Sequence, residues 1–462
     1  MSEGVLAYPD GLERRSRWVP VKGALALGGR EALRAALIAV PVAAAASWHG
    51  LSAQTLFQAS ISTMIWFVAL RTSYSGPGPS ALVLGGSIVT ALGSLSGLAA
   101  LSVLNFWLPG LELSGRQLLL MAAGAFLLSW VFETKMQRPA SRRRLVIVGA
   151  DDGTKELLAE LERHPRLPYE LVGIVDDEAG APIAGVRRLG ATRELAAILR
   201  DEKPDLVVLG RDAHRTEDAL SHVLDLASLD VRVVDVHHFN EHAFGKVPVH
   251  HLSPVWFMGV LHLYQRPYSR IVKRTFDILA AGTALLLAAP LLLAVALIVR
   301  ATSSGPILFR QLRLGEGGKL FQICKFRTMV ENAEKDGVAV WAREDDPRVT
   351  TIGRALRRTR LDELPQLWNV LRGDMSVVGP RPERPEFIEL LQETVPFWTR
   401  RHLVKPGITG WAQVRRGYTA DAMGTAEKLS YDLYYLKYRS LVFDLAIATQ
   451  TFRIVLSGFG SR

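Results

Sequence analysis

The stretch Leu361–Pro382, LDELPQLWNVLRGDMSVVGPRP, decides the fold of the C-terminal part because it places two adjacent carboxylates at the start of an apolar helical pattern. Proline is tolerated in the first turn of a helix, where the backbone N–H has no intrahelical partner, so Pro365 predicts a helix that begins there. Asp362 then falls at or beside the N-cap, a position that favours aspartate. A helix N-terminus also attracts phosphate. An ordinary capping aspartate is the alternative interpretation.

Cationic side chains surround this pair of carboxylates in the sequence. Four arginines precede the pair and one follows it: Arg354, Arg357, Arg358, Arg360 and Arg381. Arg381 stands between Pro380 and Pro382, which restrict the backbone on both sides and give the arginine a defined direction. Guanidinium groups bind phosphate oxygens in a bidentate manner. The pattern predicts a site where a carboxylate meets a polyanion.

Two further motifs accompany this stretch, KFRTM over 325–329 and KPGITGWAQV over 405–414. With the three motifs in this order, residues 268–462 resemble the bacterial sugar transferases, the polyprenyl-phosphate hexose-1-phosphate transferases also called monotopic phosphoglycosyl transferases. The preceding segments resemble those of the large members of this family. The resemblance implies a membrane α-helical bundle, a small α/β Rossmann-like domain and a mostly α monotopic catalytic domain with a re-entrant membrane helix.

The resemblance also implies a reaction in two steps. Asp362 would attack the phosphate nearer the sugar in a UDP-hexose, forming an aspartyl phosphosugar and releasing UMP. Polyprenyl (undecaprenyl) phosphate would then take the phosphosugar, as the priming step of exopolysaccharide, capsule or O-antigen synthesis. Asp362 and Glu363 are the expected catalytic residues and metal ligands. Magnesium, Mg2+, is the expected ion because it binds oxygen and needs few protein ligands besides substrate phosphates.

The other expected site residues bind the phosphates and the nucleotide. They are Lys325, Arg327, Arg357, Pro380, Arg381, Pro382 and Gln413. Lys325 and Arg327 belong to the KFRTM motif. Arg310 and Arg313 are expected to contact anionic lipid instead, because they follow an apolar segment.

The turn 405–410 is expected to be shaped by Gly407 and Gly410, which can adopt positive φ angles. After this turn, Arg415–Tyr418 replaces a commoner Asn-Gly-Arg run of the family. This departure leaves the identity of the hexose open.

Composition and charge limit the class of protein. A length of 462 residues suggests about three domains. Hydrophobic residues make up 49% of the chain, which predicts membrane segments. The net charge of +10 suits phosphate-rich substrates or anionic lipid, and no zinc-finger or recognition-helix motif points to nucleic acid. A single cysteine, Cys324, excludes an intrachain disulfide, and a cleaved signal peptide is not expected.

Four apolar windows, 32–51, 52–70, 81–104 and 116–132, predict membrane helices. The third lies in a run without charged side chains, and a span needs about 20 such residues. Cations precede the first window, stand at Arg71 after the second, and follow the fourth. The positive-inside rule then places both ends of the segment in the cytoplasm. The expected location is the bacterial inner membrane, with the catalytic domain facing the cytoplasm.

A fifth apolar segment, Phe276–Val299, is predicted to enter the membrane without crossing it. Cations flank both of its ends, and Pro290 lies near its middle. Because both ends have the charge typical of the cytoplasmic face, a helix bent at Ala289-Pro290 that enters and leaves by one face satisfies the pattern. The resemblance implies the same re-entrant helix, with its break at Pro290. A kinked helix that crosses the membrane is the alternative.

From Arg144 the pattern changes to short apolar runs that alternate with helical ones, which predicts a small doubly wound α/β domain. Strands are predicted at 145–150, 170–177, 205–210 and 231–236, with a helix near 154–163. Asp151 replaces the second glycine of a dinucleotide loop, and a carboxylate there repels pyrophosphate. Asp176 and Asp177 end the second strand, where an acidic residue can hold a ribose. A structural turn with acidic strand ends is the alternative, and no cofactor is assigned to this domain.

A histidine-rich segment and the C-terminal tail each allow a purely structural interpretation. Six histidines between 237 and 262 match no zinc spacing, so surface or interdomain positions are expected: His237, His238, His242, His250, His251 and His262. The tail 431–456 interleaves aromatic, aliphatic and cationic residues. This composition predicts either a helix pair on the membrane surface or core helices.

The predicted domains are a cytoplasmic N-terminal segment (1–30), a four-helix transmembrane segment (31–135), a Rossmann-like domain (142–250), a linker (251–267) and the re-entrant helix with the catalytic domain (268–462). Two other functions stay open. A membrane-anchored NAD-dependent nucleotide-sugar modifying enzyme would need to bind dinucleotide at 149–153, whereas a non-catalytic scaffold of a polysaccharide assembly complex would have an inactive C-terminal part. The sequence also leaves a homo-oligomer open.

Overall fold

The computed structural model describes residues 35–44, 52–75, 84, 86–108, 110–136, 142–177, 185–210, 231–249, 267–331, 333, 346–415 and 422–457. The chain divides into two compact units. The N-terminal unit comprises Met1–Gly76, Gly85–Gly149 and Pro168–Val233, and the C-terminal unit comprises Pro77–Leu84, Ala150–Leu167 and Val234–Arg462.

Apolar helices form the first part of the N-terminal unit. Helices α1 to α4 cover Ala35–Ala44, Ala53–Ser75, Gly86–Trp107 and Gly115–Met136. Trp66 of α2 and Leu101 of α3 are fully buried in their shared core. A Cβ atom at Gly97 of α3 would lie 2.1 Å from the Trp66 ring. The glycine therefore allows α2 and α3 to approach closely.

Four helices in the described ranges are long and apolar enough to cross a membrane: Ala53–Leu70, Gly86–Trp107, Gly115–Phe132 and Arg270–Thr302. The first three match the predicted windows 52–70, 81–104 and 116–132. The predicted window 32–51 is described only as the shorter apolar helix α1, and the cations at 14–30 lie outside the described residues. The protein is therefore a membrane protein.

A mostly parallel sheet follows the apolar helices. Strands β1 to β5 cover Arg143–Val148, Tyr169–Val175, Arg188–Gly190, Leu206–Leu209 and Arg232–Asp235, in the order β3-β2-β1-β4-β5. Strand β1 pairs in parallel with β2 and β4, and β2 pairs in parallel with β3. Valines of β1, β2 and β4 share a core with Leu195 and Leu199 of α6, Leu195–Glu202. The alternation of strands and helices confirms the predicted α/β class, although β3 was too short to be recognised.

The acidic residues of the predicted nucleotide loop have structural partners. The Asp151 carboxylate accepts a hydrogen bond from the Thr154 backbone N–H at 2.8 Å and caps α5, Asp152–Arg163. The Asp177 carboxylate accepts one from the Thr192 N–H at 2.7 Å. These bonds favour the interpretation of a structural turn with acidic strand ends.

The C-terminal unit contains eight further helices and four short strands in the described part of the chain. The helices α7 to α14 are Val236–Phe244, Pro267–Thr302, Thr351–Thr359, Gln366–Arg372, Ile388–Thr394, Trp411–Arg415, Ala422–Tyr438 and Leu441–Ser457. The strands β6 to β9 are Leu308–Leu314, Leu320–Phe326, Ser376–Val378 and Gly407–Thr409. Strands β6 and β7 form an antiparallel hairpin, and β8 and β9 form a parallel pair.

The long helix α8 is fixed to the rest of the C-terminal unit near both ends. At its start, Arg274 donates to the carbonyl oxygens of Val370 and Leu371, each at 2.6 Å. Just beyond its end, the Ser303 carbonyl accepts a hydrogen bond from Arg327 at 2.8 Å. The helix assignment continues through Pro290, so the chain is not unwound at the predicted break. Its outer face is apolar and exposed, which suits contact with lipid.

The tail consists of two helices, α13 and α14. Tyr434, Tyr435 and Leu436 of α13 are almost fully buried, and Phe443 of α14 packs against the two tyrosine rings. The aromatic pattern therefore forms core. This burial supports the alternative of core helices, because the consecutive residues 429–436 of α13 are all buried and the helix is enclosed on every side there.

The predicted histidine-rich segment lies partly on α7, which carries His237, His238 and His242. His238 bonds to the Asp235 carboxylate at the start of this helix. Among the described residues, no group of three histidine, cysteine, aspartate or glutamate side chains could hold a metal ion. His250, His251 and His262 lie outside the described residues.

Candidate active site

The two adjacent carboxylates lie in a 3-10 turn, Leu361–Glu363, between α9 and α10. Arg360 ends α9 with a φ of +60°, a left-handed conformation that redirects the chain. Helix α10 starts at Gln366, with Pro365 at the N-cap position. The prediction that Asp362 caps this helix is therefore wrong, because the carboxylate precedes the cap by a turn. Within the described structure, Asp362 Oδ1 is buried and has no hydrogen-bond partner.

Strand β7 is aligned beside this turn by Asn369 of α10, which is fully buried. The Cys324 N–H donates to Asn369 Oδ1 at 3.1 Å, and Asn369 Nδ2 donates to the Gln322 carbonyl at 2.7 Å. The Asn369 side-chain amide thus satisfies the Cys324 N–H and the Gln322 carbonyl, which a neighbouring strand would otherwise bond. Lys325, the next residue on β7, is brought to the carboxylates by this alignment.

Glu363 is the centre of a compact ion-pair cluster. Its Oε1 atom accepts hydrogen bonds from Lys325 Nζ and Arg381 Nη2, both at 2.9 Å. Arg360 Nη1 lies 3.7 Å from its other oxygen, Oε2. Burial acts to raise the pKa of Glu363, but Arg381, Lys325 and Arg360 outweigh burial and hold that pKa well below its usual range. Glu363 therefore stays ionised and fixes the directions of Lys325 and Arg381.

Asp362 has the opposite electrostatic environment, although it is only 7% exposed like its neighbour. Burial, together with the negative charge of Glu363, raises the pKa of Asp362 to about 6. Lys325, Arg357 and Arg381 oppose this shift. At neutral pH most of Asp362 is ionised, and its Oδ1 atom has no hydrogen-bond partner in the described structure, as expected of a carboxylate that binds a cation or attacks phosphorus.

The four arginines that precede the carboxylates lie on two different sides of helix α9. Arg357 and Arg360 are half-buried on the side of the carboxylates, whereas Arg354 and Arg358 are exposed. Arg357 is oriented by the bond from its Nε atom to Thr328 Oγ1, at 2.9 Å. The structure therefore brings Lys325, Arg357, Arg360 and Arg381 to the two carboxylates, which leaves an excess of two positive charges.

Arg327 lies at a different position from the rest of the predicted site. Its Nη2 atom donates to the carbonyl and the hydroxyl of Ser303, at 2.8 and 2.6 Å. Glu363 contacts Lys325, Arg381 and Arg360 instead. The structure thus places Arg327 at the end of α8, not in the cluster around Glu363.

Arg313 also differs from its expected position. It is largely buried, and its Nη1 atom donates to the Pro382 carbonyl at 3.2 Å, so it does not face lipid as predicted. Burial lowers the pKa of Arg313 to about 10. Arg310 is exposed, as expected for a lipid contact. The two residues differ because they are three apart on a strand and point to opposite faces.

The segment around Pro380 and the turn at 405–410 form one packed layer. The Gly407 N–H donates to the Pro380 carbonyl at 2.9 Å, and a Cβ at Gly407 would lie 2.1 Å from the Gly379 nitrogen. Neither Gly407 nor Gly410 has a positive φ, so that prediction is wrong. Glycine is required here because two backbones approach each other closely.

Gln413 follows this layer on α12. Its Nε2 atom donates to the Ile408 carbonyl at 3.1 Å. Its Oε1 atom is buried and has no partner among the described residues, so it remains able to accept a hydrogen bond from a ligand. The contacts of Arg416–Tyr418 lie outside the described part of the chain.

Asp362 and Glu363 each offer a carboxylate oxygen to a divalent cation. Asp362 Oδ1 is a buried oxygen without a partner, which suits one bond to magnesium. Glu363 Oε1 is shared by two cations, so Oε2 is the more accessible of its oxygens. Two carboxylates from the protein suffice for an ion that takes its other ligands from water and phosphate. The donor set therefore fits.

Sequence reasoning missed two buried residues that support the site, Asn369 and Arg401. Asn369 lies within the quoted stretch, and a polar residue on the apolar face of a short helix was the available signal. Arg401 precedes the KPGITGWAQV motif and carries no local signal, because its partners are remote in sequence.

Residues 268–458 match the family described as bacterial sugar transferase. A protein of Aeromonas hydrophila, the UDP-N-acetylgalactosamine-undecaprenyl-phosphate N-acetylgalactosaminephosphotransferase, is 42% identical over 269 residues, which are 56% of this chain and 63% of that protein. The UDP-glucose:undecaprenyl-phosphate glucose-1-phosphate transferase of Escherichia coli (strain K12) is 36% identical over 326 residues, 69% of this chain and 68% of that protein.

A shorter relative matches a smaller share of this chain. The exopolysaccharide production protein PSS of Rhizobium leguminosarum bv. phaseoli is 45% identical over 183 residues, which are 38% of this chain and 91% of that protein. The chain thus spans 63% and 68% of the length of the first two relatives and nearly all of the third.

Proposed function

Because the chain belongs to the bacterial sugar transferase family, we propose that it transfers hexose 1-phosphate from a UDP-hexose to polyprenyl phosphate and releases UMP. The observation that carries the proposal is the pairing of a buried carboxylate of raised pKa, Asp362, with a cluster of cations that Glu363 fixes in place. The names of the two longer relatives describe the same class of reaction with two different sugars.

In the first step, a carboxylate oxygen of Asp362 forms a bond to the phosphorus nearer the sugar. The bond between that phosphorus and the bridging oxygen breaks, and UMP leaves with the electron pair. Arg381, Lys325 and Arg357 compensate the charge of the diphosphate, which would otherwise repel the carboxylate. Carboxylates serve as covalent nucleophiles in this way in other enzymes.

In the second step, a phosphate oxygen of polyprenyl phosphate attacks the same phosphorus. The bond to the Asp362 oxygen breaks, the carboxylate is restored, and polyprenyl-diphospho-hexose is the product. No separate base is needed, because the acceptor phosphate is already ionised. Glu363 keeps Lys325 and Arg381 in place during both steps.

Magnesium is the proposed ion, with Asp362 and Glu363 as its protein ligands. When bound, it would neutralise phosphate charge and polarise the phosphorus centre. Of the remaining predicted binding residues, Gln413 is proposed for the nucleotide, because its buried Oε1 atom is free to accept a hydrogen bond. Arg327, Pro380 and Pro382 stay proposals for phosphate binding.

Helix α8 is proposed to be re-entrant and to keep the site on the cytoplasmic face of the bacterial inner membrane. Its start contacts Val370 and Leu371, and its end contacts Arg327 of the same unit. A helix that crossed the bilayer would separate these ends by the hydrocarbon thickness, about 30 Å. The contacts at both ends support a helix that enters and leaves by one face, bent at Pro290, with anionic lipid beside Arg310.

The parallel sheet of the N-terminal unit is proposed to be Rossmann-like, because its strand order, β3-β2-β1-β4-β5, is that of a dinucleotide-binding fold. Its loop at Asp151 is a helix cap, so no cofactor is proposed there. The product would prime the synthesis of exopolysaccharide, capsule or O-antigen, and the hexose is left to experiment.

A panel of UDP-sugars with polyprenyl phosphate and magnesium tests this function by UMP release. We expect one or two UDP-sugars to release UMP in the presence of wild-type protein and none to do so with Asp362→Asn, which has nearly the same shape. Arg354→Gln, an exposed arginine on the outer side of α9, is the matched control and should retain activity. Equal UMP release by wild type and Asp362→Asn would contradict the proposal.

A further inference from the structure

Arg401 lies behind the carboxylate site, and the reaction described above does not use it. It belongs to a 3-10 turn, Trp398–Leu403, and is only 2% exposed. Its Nη2 atom donates to the backbone carbonyl oxygen of Arg381 at 3.1 Å, and its Nη1 atom donates to Glu383 Oε1 at 3.3 Å. Arg401 therefore contacts both ends of the short segment Arg381–Glu383.

The Arg401 guanidinium also contacts an acidic side chain and an aromatic ring. Its Nη2 atom lies 2.7 Å from the Asp432 carboxylate of α13, which is 1% exposed. Its plane lies over the Trp398 ring, 4.4 Å from the ring centroid. An ion pair, a stacked ring and two hydrogen bonds hold one planar group, which a flexible ammonium could not satisfy together.

Other contacts support Pro382 and Glu383 of the segment Arg381–Glu383. Arg313 donates to the Pro382 carbonyl at 3.2 Å, and the Leu314 N–H donates to the Glu383 carbonyl at 3.1 Å. The bond from Arg401 reaches the backbone of Arg381 itself. The side chain of Arg381 then extends to Glu363 Oε1 at 2.9 Å.

We propose that Arg401 is a positioning residue for the transfer reaction: it holds the backbone of Arg381 between Asp432 and Glu383 so that the Arg381 guanidinium meets the carboxylate site and the substrate phosphates. The proposal rests on the proposed function, because Arg381 is its cation for the diphosphate. A misplacement of about 1 Å in a charged group at a reacting centre can cost roughly 100-fold in rate.

Two variants test this role in the full-length protein with magnesium, polyprenyl phosphate and the active UDP-sugar. Arg401→Lys keeps the charge beside Asp432, and Arg401→Gln/Asp432→Asn removes both buried charges together. Each is measured in the wild-type and in the Arg381→Ala background, with enzyme in excess of donor so that slow rates are visible. Arg348→Gln is the matched control, because Arg348 pairs with buried Asp346 but does not contact the Arg381–Glu383 segment in the described structure.

If Arg401 acts through Arg381, we expect each variant to lower kcat/KM by about 10- to 100-fold in the wild-type background and by less than about 3-fold in the Arg381→Ala background. Arg348→Gln should have the same fold effect in both backgrounds. Unfolding midpoints near that of wild type should accompany the loss of activity.

Three results would overturn the role. If the variants lower kcat/KM by the same factor in both backgrounds, the effect of Arg401 is independent of Arg381. Full activity of both variants removes any role. Unfolding of both variants makes Arg401 a folding residue. Absence of UMP release by wild type, in contrast, overturns the proposed function itself, so the two failures are distinguishable.

Discussion

Asp362 and Glu363 are neighbours in sequence, equally buried, and opposite in electrostatic environment. Glu363 receives two hydrogen bonds from cations, whereas Asp362 Oδ1 receives none from the part of the chain that the structure describes. Burial and the charge of Glu363 raise the pKa of Asp362 to about 6. One residue is therefore a fixed counter-ion and the other a carboxylate available for chemistry, which is a division of roles common to paired carboxylates.

The rate of the first step should depend on the ionisation of Asp362. Because a raised pKa keeps more of the carboxylate protonated as the pH falls, we expect the rate of UMP release to decline below about pH 6, by roughly tenfold per pH unit. Glu363 should not titrate in this range, because the cations around it hold its pKa well below usual. Single-turnover UMP release between pH 5 and 8 measures this. A midpoint near pH 4, the usual value for an exposed aspartate, would contradict the account.

Sequence alone predicted the two carboxylates and three of their four cations, Lys325, Arg357 and Arg381, although Lys325 and Arg381 lie well outside the turn that carries the carboxylates. Of the four arginines that precede the carboxylates, it assigned Arg357 to the site but not Arg360, because the direction of Arg360 depends on where α9 ends. It also assigned Asp362 to a helix cap, because Asp and Pro at this spacing are typical of helix starts. The left-handed Arg360 and the 3-10 turn, which shift the helix start to Gln366, have no local sequence signal.

Helix α8 is both a membrane element and a support of the catalytic core. Arg274 near its start closes the C-terminal end of α10 by donating to Val370 and Leu371. One turn later, Asp277 accepts hydrogen bonds from Ser376 Oγ and the Val377 N–H, at 2.9 and 3.0 Å. The sequence indicated an apolar helix with one aspartate, but the partners of Arg274 and Asp277 lie about 100 positions away and were not predictable.

Replacing Arg274 with glutamine should destabilise the C-terminal unit. The change leaves two helix-end carbonyls without a charged donor, at a cost of about 1–3 kcal/mol. Thermal unfolding of the purified protein measures this as a lower midpoint. Arg300→Gln, at an exposed position on the same helix, is the matched control and should have little effect. Equal midpoints for the two variants would show that the Arg274 bonds do not stabilise the unit.

The topology of α8 can be tested by chemical labelling. Cysteines placed at Thr275 and Thr302, both exposed, in a Cys324→Ser background should react with an impermeant reagent only after the inner face is opened. Both ends should behave alike, because both contact the same unit. Labelling of one position from outside would establish a crossing helix. Pro290→Leu should straighten the helix and move one end towards the outer face.

At the scale of the whole molecule, α7 packs with helices that come about 200 positions later within the C-terminal unit. Its Glu241 is 2% exposed and accepts hydrogen bonds from Lys437 Nζ at 2.8 Å and from Tyr438 Oη at 2.7 Å. Trp411 Nε1 donates to the Gly245 carbonyl at 2.8 Å. The residues just before α8 in the described chain therefore pack with the catalytic unit, which periodicity could not indicate because the partners are nearly 200 positions away.

Glu241→Gln should lower the unfolding midpoint of the protein by several degrees. Glutamine keeps the size of the side chain but removes the buried negative charge that Lys437 contacts, and each kcal/mol lost shifts the midpoint by about 2–4 °C in a unit of this size. Glu162→Gln, an exposed change on α5, is the control. A midpoint equal to that of the control would show that this buried contact is not stabilising.

The central claim is that Asp362 forms a covalent bond to phosphorus, and intact-mass spectrometry tests it most directly. Enzyme, magnesium and the preferred UDP-sugar are mixed without lipid. We expect about one UMP per active site and a mass increase of one phosphohexose, both absent in Asp362→Asn and reversed when polyprenyl phosphate is added. An unmodified mass and no UMP burst, in protein shown to turn over with lipid, would contradict the aspartyl intermediate and require direct transfer between the two bound substrates.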